Sequence, residues 1–193
     1  MQRRAKRRRN VRRGVIVAIV AVLVLGTGAL LFTSKSPTPT TTTSSTAPTT
    51  TTTVAKPIAF SPLTDPSPAG VSGKSPTLVV PAGAPPTKPE LANLITGTGP
   101  GAVNGDHLTV QYVLADYSSR KVLQTSWTAK PFPFVLGQTS LIPGWVAAMY
   151  GMKQGGRREF ILPPVDAYGA HPTNGIPNND TLVFIVDLVK LTK

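Results

Sequence analysis

The amino-acid sequence predicts an α+β domain of antiparallel strands and one short helix in the C-terminal part of the 193-residue chain. Residues 107–114 (HLTVQYVL) place an apolar side chain at every second position, which is the period of a strand with one buried face. Residues 157–163 (RREFILP) and 181–191 (TLVFIVDLVKL) predict two further strands. The helix is predicted at residues 143–152 (PGWVAAMYGM), where Pro143 occupies a position that the first helical turn tolerates.

The N-terminal part predicts a membrane anchor. Residues 1–13 form a basic tail with eight of the 20 lysines and arginines, and residues 14–32 are nineteen consecutive residues without a charge. A helix of that length crosses a bilayer, and positive charge on its N-terminal side predicts a cytoplasmic N-terminus and an exported remainder. Cleavage as a signal peptide, which would leave a secreted protein, is the alternative. The length of the apolar run and the lack of an A-x-A site after it favour retention at the cell membrane, in a single pass.

Residues 33–74 are rich in threonine, serine and proline, and they predict a disordered linker that lifts the domain of residues 75–193 off the membrane. The sequence leaves open whether this linker is O-glycosylated. From Ser75 onward nine basic and seven acidic side chains nearly balance, which excludes a basic groove for nucleic acid. The chain has no cysteine, so disulfides and thiol chemistry are excluded as well.

Residues 131–145 (PFPFVLGQTSLIPGW) predict an apolar pocket. Phe132 and Phe134 are two apart in a strand and therefore share a face. Trp145 follows in the first turn of the predicted helix, where its indole can form a floor between phenylalanine walls. Such a site is concave, apolar and nearly free of titratable groups.

Five motifs in order resemble the FKBP-type peptidyl-prolyl cis-trans isomerases over residues 77–193. They are GDHLTVQYV (105–113), PFPFVLG (131–137), LIPGW (141–145), GMKQGGRREFILPP (151–164) and AYGAHPTNGIPNNDTLVFIVDLVKL (167–191). The arrangement resembles a single-domain, membrane-anchored bacterial form of actinobacterial type. The resemblance implies a curved antiparallel sheet wrapped around the short helix.

The resemblance also implies which residues form the site. The family's catalytic positions fall on Tyr112, Phe132, Ile142, Trp145, Tyr168 and Phe184, and its further substrate-binding positions fall on Leu123, Gln124, Leu141 and Ile176. It implies that the proline ring rests on Trp145, and that Ile142 N–H and the Tyr168 hydroxyl each bond a substrate carbonyl. It places Phe134 in the core instead.

One stretch departs from the family pattern. In residues 122–127 (VLQTSW), Leu123 stands where the family has a pocket phenylalanine, and Gln124 stands where it has an aspartate. Leucine keeps the surface apolar but loses aromatic area, and glutamine lacks the carboxylate charge. The sequence therefore predicts an isomerase of reduced activity. A proline-binding chaperone or scaffold module is the first alternative, and a structural envelope protein displayed on a stalk is the second.

The predicted partners are proline-containing exported polypeptides and macrolides of the tacrolimus and rapamycin type, bound by a monomer. No cofactor is expected. His107 and His171 have no acids or cysteines at ligand spacing, so no metal site is expected. Asp166 is interpreted as a turn or surface residue, and His171 as a solvated loop residue.

Overall fold

The computed structural model describes residues 57–138, 141–171 and 175–193. Its elements are β1 (Ser61–Pro62), β2 (Glu90–Ile95), β3 (His107–Asp116), β4 (Val122–Thr125), β5 (Phe132–Val135), α1 (Pro143–Met149), β6 (Arg157–Leu162), a 3-10 turn (Pro164–Asp166) and β7 (Leu182–Thr192). The three predicted strands and the predicted helix are confirmed, although the helix ends at Met149. The predicted anchor at residues 14–32 lies outside the described residues, and none of the helices within them is long and apolar enough to cross a membrane.

The strands form one sheet in the order β1-β2-β6-β7-β3-β4, and β5 pairs with β3 as well. All pairings are antiparallel except that of the two-residue β1 with β2. The long pair β3 and β7 forms its centre, with a register from His107 opposite Thr192 to Asp116 opposite Leu182. This pair carries Tyr112 and Phe184 into the same region of the molecule.

Helix α1 packs on one face of this sheet and encloses the main core. Alternate side chains of β7 lie in this core, and its fully buried members include Leu182, Val186 and Leu188. Gly144 sets how closely α1 approaches β6, because a Cβ at this position would lie 2.6 Å from Leu162 Cδ2 and 2.7 Å from Asp166 O. The N-terminal end of the helix is therefore held directly against the sheet.

Residues 57–80, which we call the N-terminal strap, run along the edge strand β2 and then across the opposite face of the sheet. A second apolar cluster lies under it and contains Leu63, Val80, Ala115, Tyr117, Ile161 and Val183. Six consecutive residues of β6 are buried, since α1 covers one face of this strand and the strap covers the other. The sequence places residues up to 74 in the linker, whereas the structure shows residues 57–74 as part of the strap.

Buried polar groups hold the strap in place. Arg157 Nε donates to Asp187 Oδ1 at 2.6 Å, and the same guanidinium donates to Ala69 O at 2.7 Å and to Lys74 O at 2.6 Å. Ser67 donates to the Glu159 carboxylate through its N–H at 2.6 Å and its hydroxyl at 2.9 Å. Burial raises the pKa of Glu159, and the Ser67 hydrogen bonds oppose that effect. These partners lie 83 to 92 residues from the strap in sequence, so the local composition of the segment gives no sign of its order.

Candidate active site

The candidate site is a half-open apolar cluster between α1, β5 and the central strands. Nine of the ten residues expected there belong to the main core cluster. Trp145, Ile176 and Phe184 are buried within it. The other six are partly buried at its surface: Tyr112, Leu123, Phe132, Leu141, Ile142 and Tyr168. Residues from six separate parts of the chain thus converge on one surface.

Trp145 forms the centre of this cluster. Its side chain is buried, with a relative exposure of 5% for the residue, and it meets the two phenylalanines of β5. The Phe132 ring lies edge-on with centroids 6.1 Å apart, and the Phe134 ring lies at 4.9 Å. Phe134, which the sequence places in the core, is only half-buried and approaches the indole more closely than Phe132 does.

Phe184 provides a second aromatic surface from β7. Its ring stacks on the fully buried Phe160 of β6 with centroids 5.2 Å apart and planes inclined by 19°. The two residues face each other directly in the register of the strands. This stack gives Phe184 a rigid backing, because core side chains at this density have few other rotamers.

Two tyrosine hydroxyls supply polar groups in an otherwise apolar cluster. Burial raises the pKa of Tyr112 above its ordinary value of 10.0. Burial also raises the pKa of Tyr168, and the proximity of Tyr112 adds to this shift. Both hydroxyls therefore stay protonated at neutral pH and can donate a hydrogen bond to a ligand carbonyl.

Gln124 lies beside one of these hydroxyls. It faces Leu114 across the β3–β4 pairing, and the Tyr112 hydroxyl donates toward Gln124 Oε1 over a long 3.5 Å. Leu123 packs against the main core from the preceding position. The two departures from the family pattern are thus adjacent to the other candidate residues, and Gln124 places a neutral amide next to Tyr112.

The chain enters α1 through Ile142. This residue is the N-cap, in extended conformation with φ −58° and ψ 139°, and no side chain caps the helix. Its carbonyl accepts from Trp145 N–H at 3.1 Å and from Val146 N–H at 3.2 Å. These bonds fix the peptide group of Ile142 relative to the indole of Trp145. Residues 139–140, which precede this turn, lie outside the described ranges.

Two other kinds of site, a metal site and a surface groove, were compared with this cluster. In the part of the chain that the structure describes, no group of three histidine, cysteine, aspartate or glutamate side chains could hold a metal ion. A surface groove of about 350 Å³ is lined by other residues, namely Thr98, Gly99, Pro100, Gln154, Leu191 and Lys193. It contains none of the ten candidate residues, and its lining has no aromatic side chain.

Comparison with known proteins decides the family. The family profile described as FKBP-type peptidyl-prolyl cis-trans isomerase matches residues 99–189. The FK506-binding protein of Streptomyces anulatus is 37% identical over 122 residues, covering 62% of this chain and 98% of that protein. The chain belongs to the FKBP-type peptidyl-prolyl cis-trans isomerase family.

Longer proteins share the same FKBP-type domain. The FK506-binding protein 4 of Saccharomyces cerevisiae is 39% identical over 97 residues, which are 50% of this chain and 24% of the yeast protein. The crystal structure of FkpA from Escherichia coli superposes with a TM-score of 0.50 at 32% identity, covering 55% of this chain and 49% of that one. The chain therefore spans about half of FkpA and about a quarter of the yeast protein. These matches support the FKBP-like fold, an open and mostly antiparallel sheet with one short helix.

Proposed function

We propose that this FKBP-type domain accelerates rotation about X-Pro peptide bonds in exported polypeptides, and so assists their folding outside the cytoplasm. The observation that carries the proposal is the convergence of Trp145, Phe132 and Phe184 with two protonated tyrosine hydroxyls. None of the ten candidate residues carries a charge at neutral pH. Such a surface suits a reaction that needs no nucleophile and no proton transfer.

The physics of the reaction explains why an apolar surface is sufficient. Rotation of an X-Pro amide takes tens of seconds because it breaks the partial double bond against a barrier of about 20 kcal/mol. The twisted amide loses its charge-separated resonance form and is less polar than the planar one. Water stabilises the planar form by hydrogen bonding, so a surface that excludes water favours the twisted state in relative terms. A thousandfold acceleration requires only about 4 kcal/mol of such preference.

Each part of the site has a role in this proposal. The prolyl ring rests on Trp145, and the twisting amide meets a wall of Tyr112, Phe132 and Phe184. Ile142 N–H and the Tyr168 hydroxyl bond substrate carbonyls on either side and hold the flanking backbone still while the amide turns. The Tyr168 hydroxyl is protonated at neutral pH, so it carries the proton that this role needs. Macrolides of the tacrolimus type are proposed as ligands of the same surface.

Restoring the family residues at the two departures is expected to raise turnover. Gln124→Asp should increase kcat/KM by about fivefold to tenfold, since hydrogen bonds to charged groups contribute about 1 to 1.4 kcal/mol more than neutral ones. Adding Leu123→Phe should raise it further by completing the aromatic wall. A prolyl isomerisation assay on the three proteins, at equal folded concentration checked by thermal melts, measures this.

The outcomes of this assay separate the isomerase from its alternative. Wild-type turnover equal to that of typical family members, with no gain from either substitution, would show that the carboxylate is dispensable here. Lack of activity in all three folded proteins would instead favour a module that binds proline-containing segments without turning them over. The neutral Gln124 beside Tyr112 is the observation that favours this second function.

The exported location is a separate proposal, supported by the eight cations of residues 1–13 followed by the apolar residues 14–32. The mature protein is expected to keep residues 14–32 and to fractionate with membranes, and N-terminal sequencing of the membrane fraction measures this. A mature chain that begins after Phe32 would contradict the anchor and support secretion.

A further inference from the structure

We propose that Arg158 is a positioning residue for the isomerase reaction, because it fixes the C-terminal end of α1 and through that helix the indole of Trp145. The inference rests on the proposed function and adds to it a residue that lies outside the apolar cluster. Arg158 is on β6, on the face that carries α1, and its relative exposure is 8%. Its side-chain hydrogen bonds to α1 go to backbone carbonyls, so it acts on Trp145 through the helix backbone.

The guanidinium of Arg158 binds the end of the helix at two points. Its Nη1 donates to Ala148 O in the last turn and to Tyr150 O just beyond it, the second bond measuring 3.0 Å. Its Nε donates to Asn93 Oδ1 on β2 at 2.8 Å. One planar group therefore ties the end of α1 to two adjacent strands of the sheet.

The charge of Arg158 is compensated by these oxygens and by no acid. Within the described ranges the ion pairs are Arg157–Asp187 and Lys193–Asp106, and neither includes Arg158. A buried cation without a carboxylate is costly unless its donors are satisfied. The last carbonyls of a helix lack intrahelical partners and carry partial negative charge, which suits a cation at this place. Since α1 has no basic residue in its last turn, Arg158 supplies that cation from the sheet.

Helix α1 depends on such contacts because it is short. Seven residues make few internal hydrogen bonds, and a helix of that length does not persist in water by itself. Strand β6 holds it at both ends, through the close contact of Gly144 with Leu162 and through Arg158 at the other end. Trp145 lies between these two attachments, so loss of either one frees the indole to shift against Phe132 and Phe134.

The consequence for catalysis follows from geometry. A displacement of about 1 Å in a group that orients the substrate can cost up to about 100-fold in rate. We expect Arg158→Lys to lower kcat/KM by about tenfold, because an ammonium is a point donor and cannot bridge both carbonyls and Asn93 together. Arg158→Met should lower kcat/KM further, and lysine should therefore rescue part of the loss.

The test uses Trp145 itself as the reporter. The chain has two tryptophans, and Trp127→Phe leaves Trp145 as the single one; the Trp127 indole N–H has no hydrogen-bond partner to lose. In this background, acrylamide quenching of Trp145, tacrolimus affinity and kcat/KM are measured for Arg158→Lys and Arg158→Met. Arg157→Lys is the matched control, since it is the same substitution at the next residue of β6 on the opposite face, where the guanidinium binds the strap. Asn93→Ala is a milder variant that removes one acceptor of Arg158 and keeps the helix contacts.

The expected result is increased Trp145 quenching together with reduced tacrolimus affinity and reduced kcat/KM in both Arg158 variants. Asn93→Ala should show a smaller change in the same direction. If Arg158→Met does not fold, the change in Asn93→Ala tests whether Arg158 positions Trp145. Arg157→Lys should lower the melting temperature. It should leave the Trp145 quenching and the kcat/KM per folded molecule within about twofold of the background. Equal quenching and equal kcat/KM in Arg158→Lys, Asn93→Ala and the background would overturn the proposal. An inactive background protein would contradict the proposed function instead, while quenching and tacrolimus affinity would still decide the role of Arg158.

Discussion

Trp145→Ala is expected to lower the free energy of unfolding by about 3 to 5 kcal/mol, as removal of a large buried aromatic side chain does. It should also abolish tacrolimus binding. The indole is 5% exposed and contacts both phenylalanines of β5, so its removal leaves a cavity under the surface on which the prolyl ring is proposed to rest. Chemical denaturation measures the first effect and isothermal titration with tacrolimus measures the second.

Two further variants separate the site from the core. Trp145→Leu fills more of the cavity, so it should cost less stability than alanine and still weaken macrolide binding. Trp127→Leu changes the other tryptophan in the same way at a position outside the aromatic cluster, and it should leave affinity unchanged. Undiminished tacrolimus binding by folded Trp145→Leu would mean that the pocket has been assigned to the wrong place.

Asp187→Ala is expected to be about as destabilising, by about 3 to 5 kcal/mol, because it leaves the buried Arg157 guanidinium without its carboxylate. Arg157 Nε and Nη2 donate to the two oxygens of this carboxylate at 2.6 and 2.7 Å. The same guanidinium also holds the strap through Ala69 O and Lys74 O. Urea denaturation measures the loss of stability, and limited proteolysis of residues 57–80 measures release of the strap.

A second ion pair in the protein provides the control. Lys193→Met removes the cation beside Asp106, but the lysine side chain is 60% exposed and the carboxylate of Asp106, itself only 4% exposed, keeps its hydrogen bond from Val103 N–H. An ion pair with one solvent-exposed member contributes much less to stability than the buried Arg157–Asp187 pair. This variant should leave the melting temperature nearly unchanged and the strap protected. If Asp187→Ala is as stable and as protease-resistant as Lys193→Met, the buried pair does not hold the strap.

The sequence predicts best those strands in which apolar side chains recur at every second residue. The alternation in β7 predicts that Leu182, Val186 and Leu188 face the same core, and the structure confirms it. Short or polar elements were missed for physical reasons. Strand β4 has four residues and shows no clear period, and the strap derives its order from Arg157 and Glu159, whose places in the sequence are far away.

The candidate site was predictable only in part. The resemblance supplies its residues, and nine of the ten lie in one cluster, but strand periodicity alone does not distinguish Phe132 from Phe134. Both share a face of β5, and both contact Trp145. The attachment of α1 by Arg158 was missed because its acceptors are backbone carbonyls, which leave no signature in the sequence. The signal that could have indicated special contacts there is the run of two arginines and a glutamate in β6, a strand that the structure shows to be buried.

The measurement that tests the central claim most directly is catalysed isomerisation of an unstructured X-Pro peptide, followed by NMR exchange with and without tacrolimus. The full chain is the enzyme, because residues 57–74 are part of the fold. Under the proposed function, the protein is expected to accelerate cis-trans exchange, saturating tacrolimus to remove the acceleration, and Trp145→Leu to show little of it. Exchange at the uncatalysed rate in the presence of folded protein, or acceleration that tacrolimus and Trp145→Leu leave intact, would contradict it.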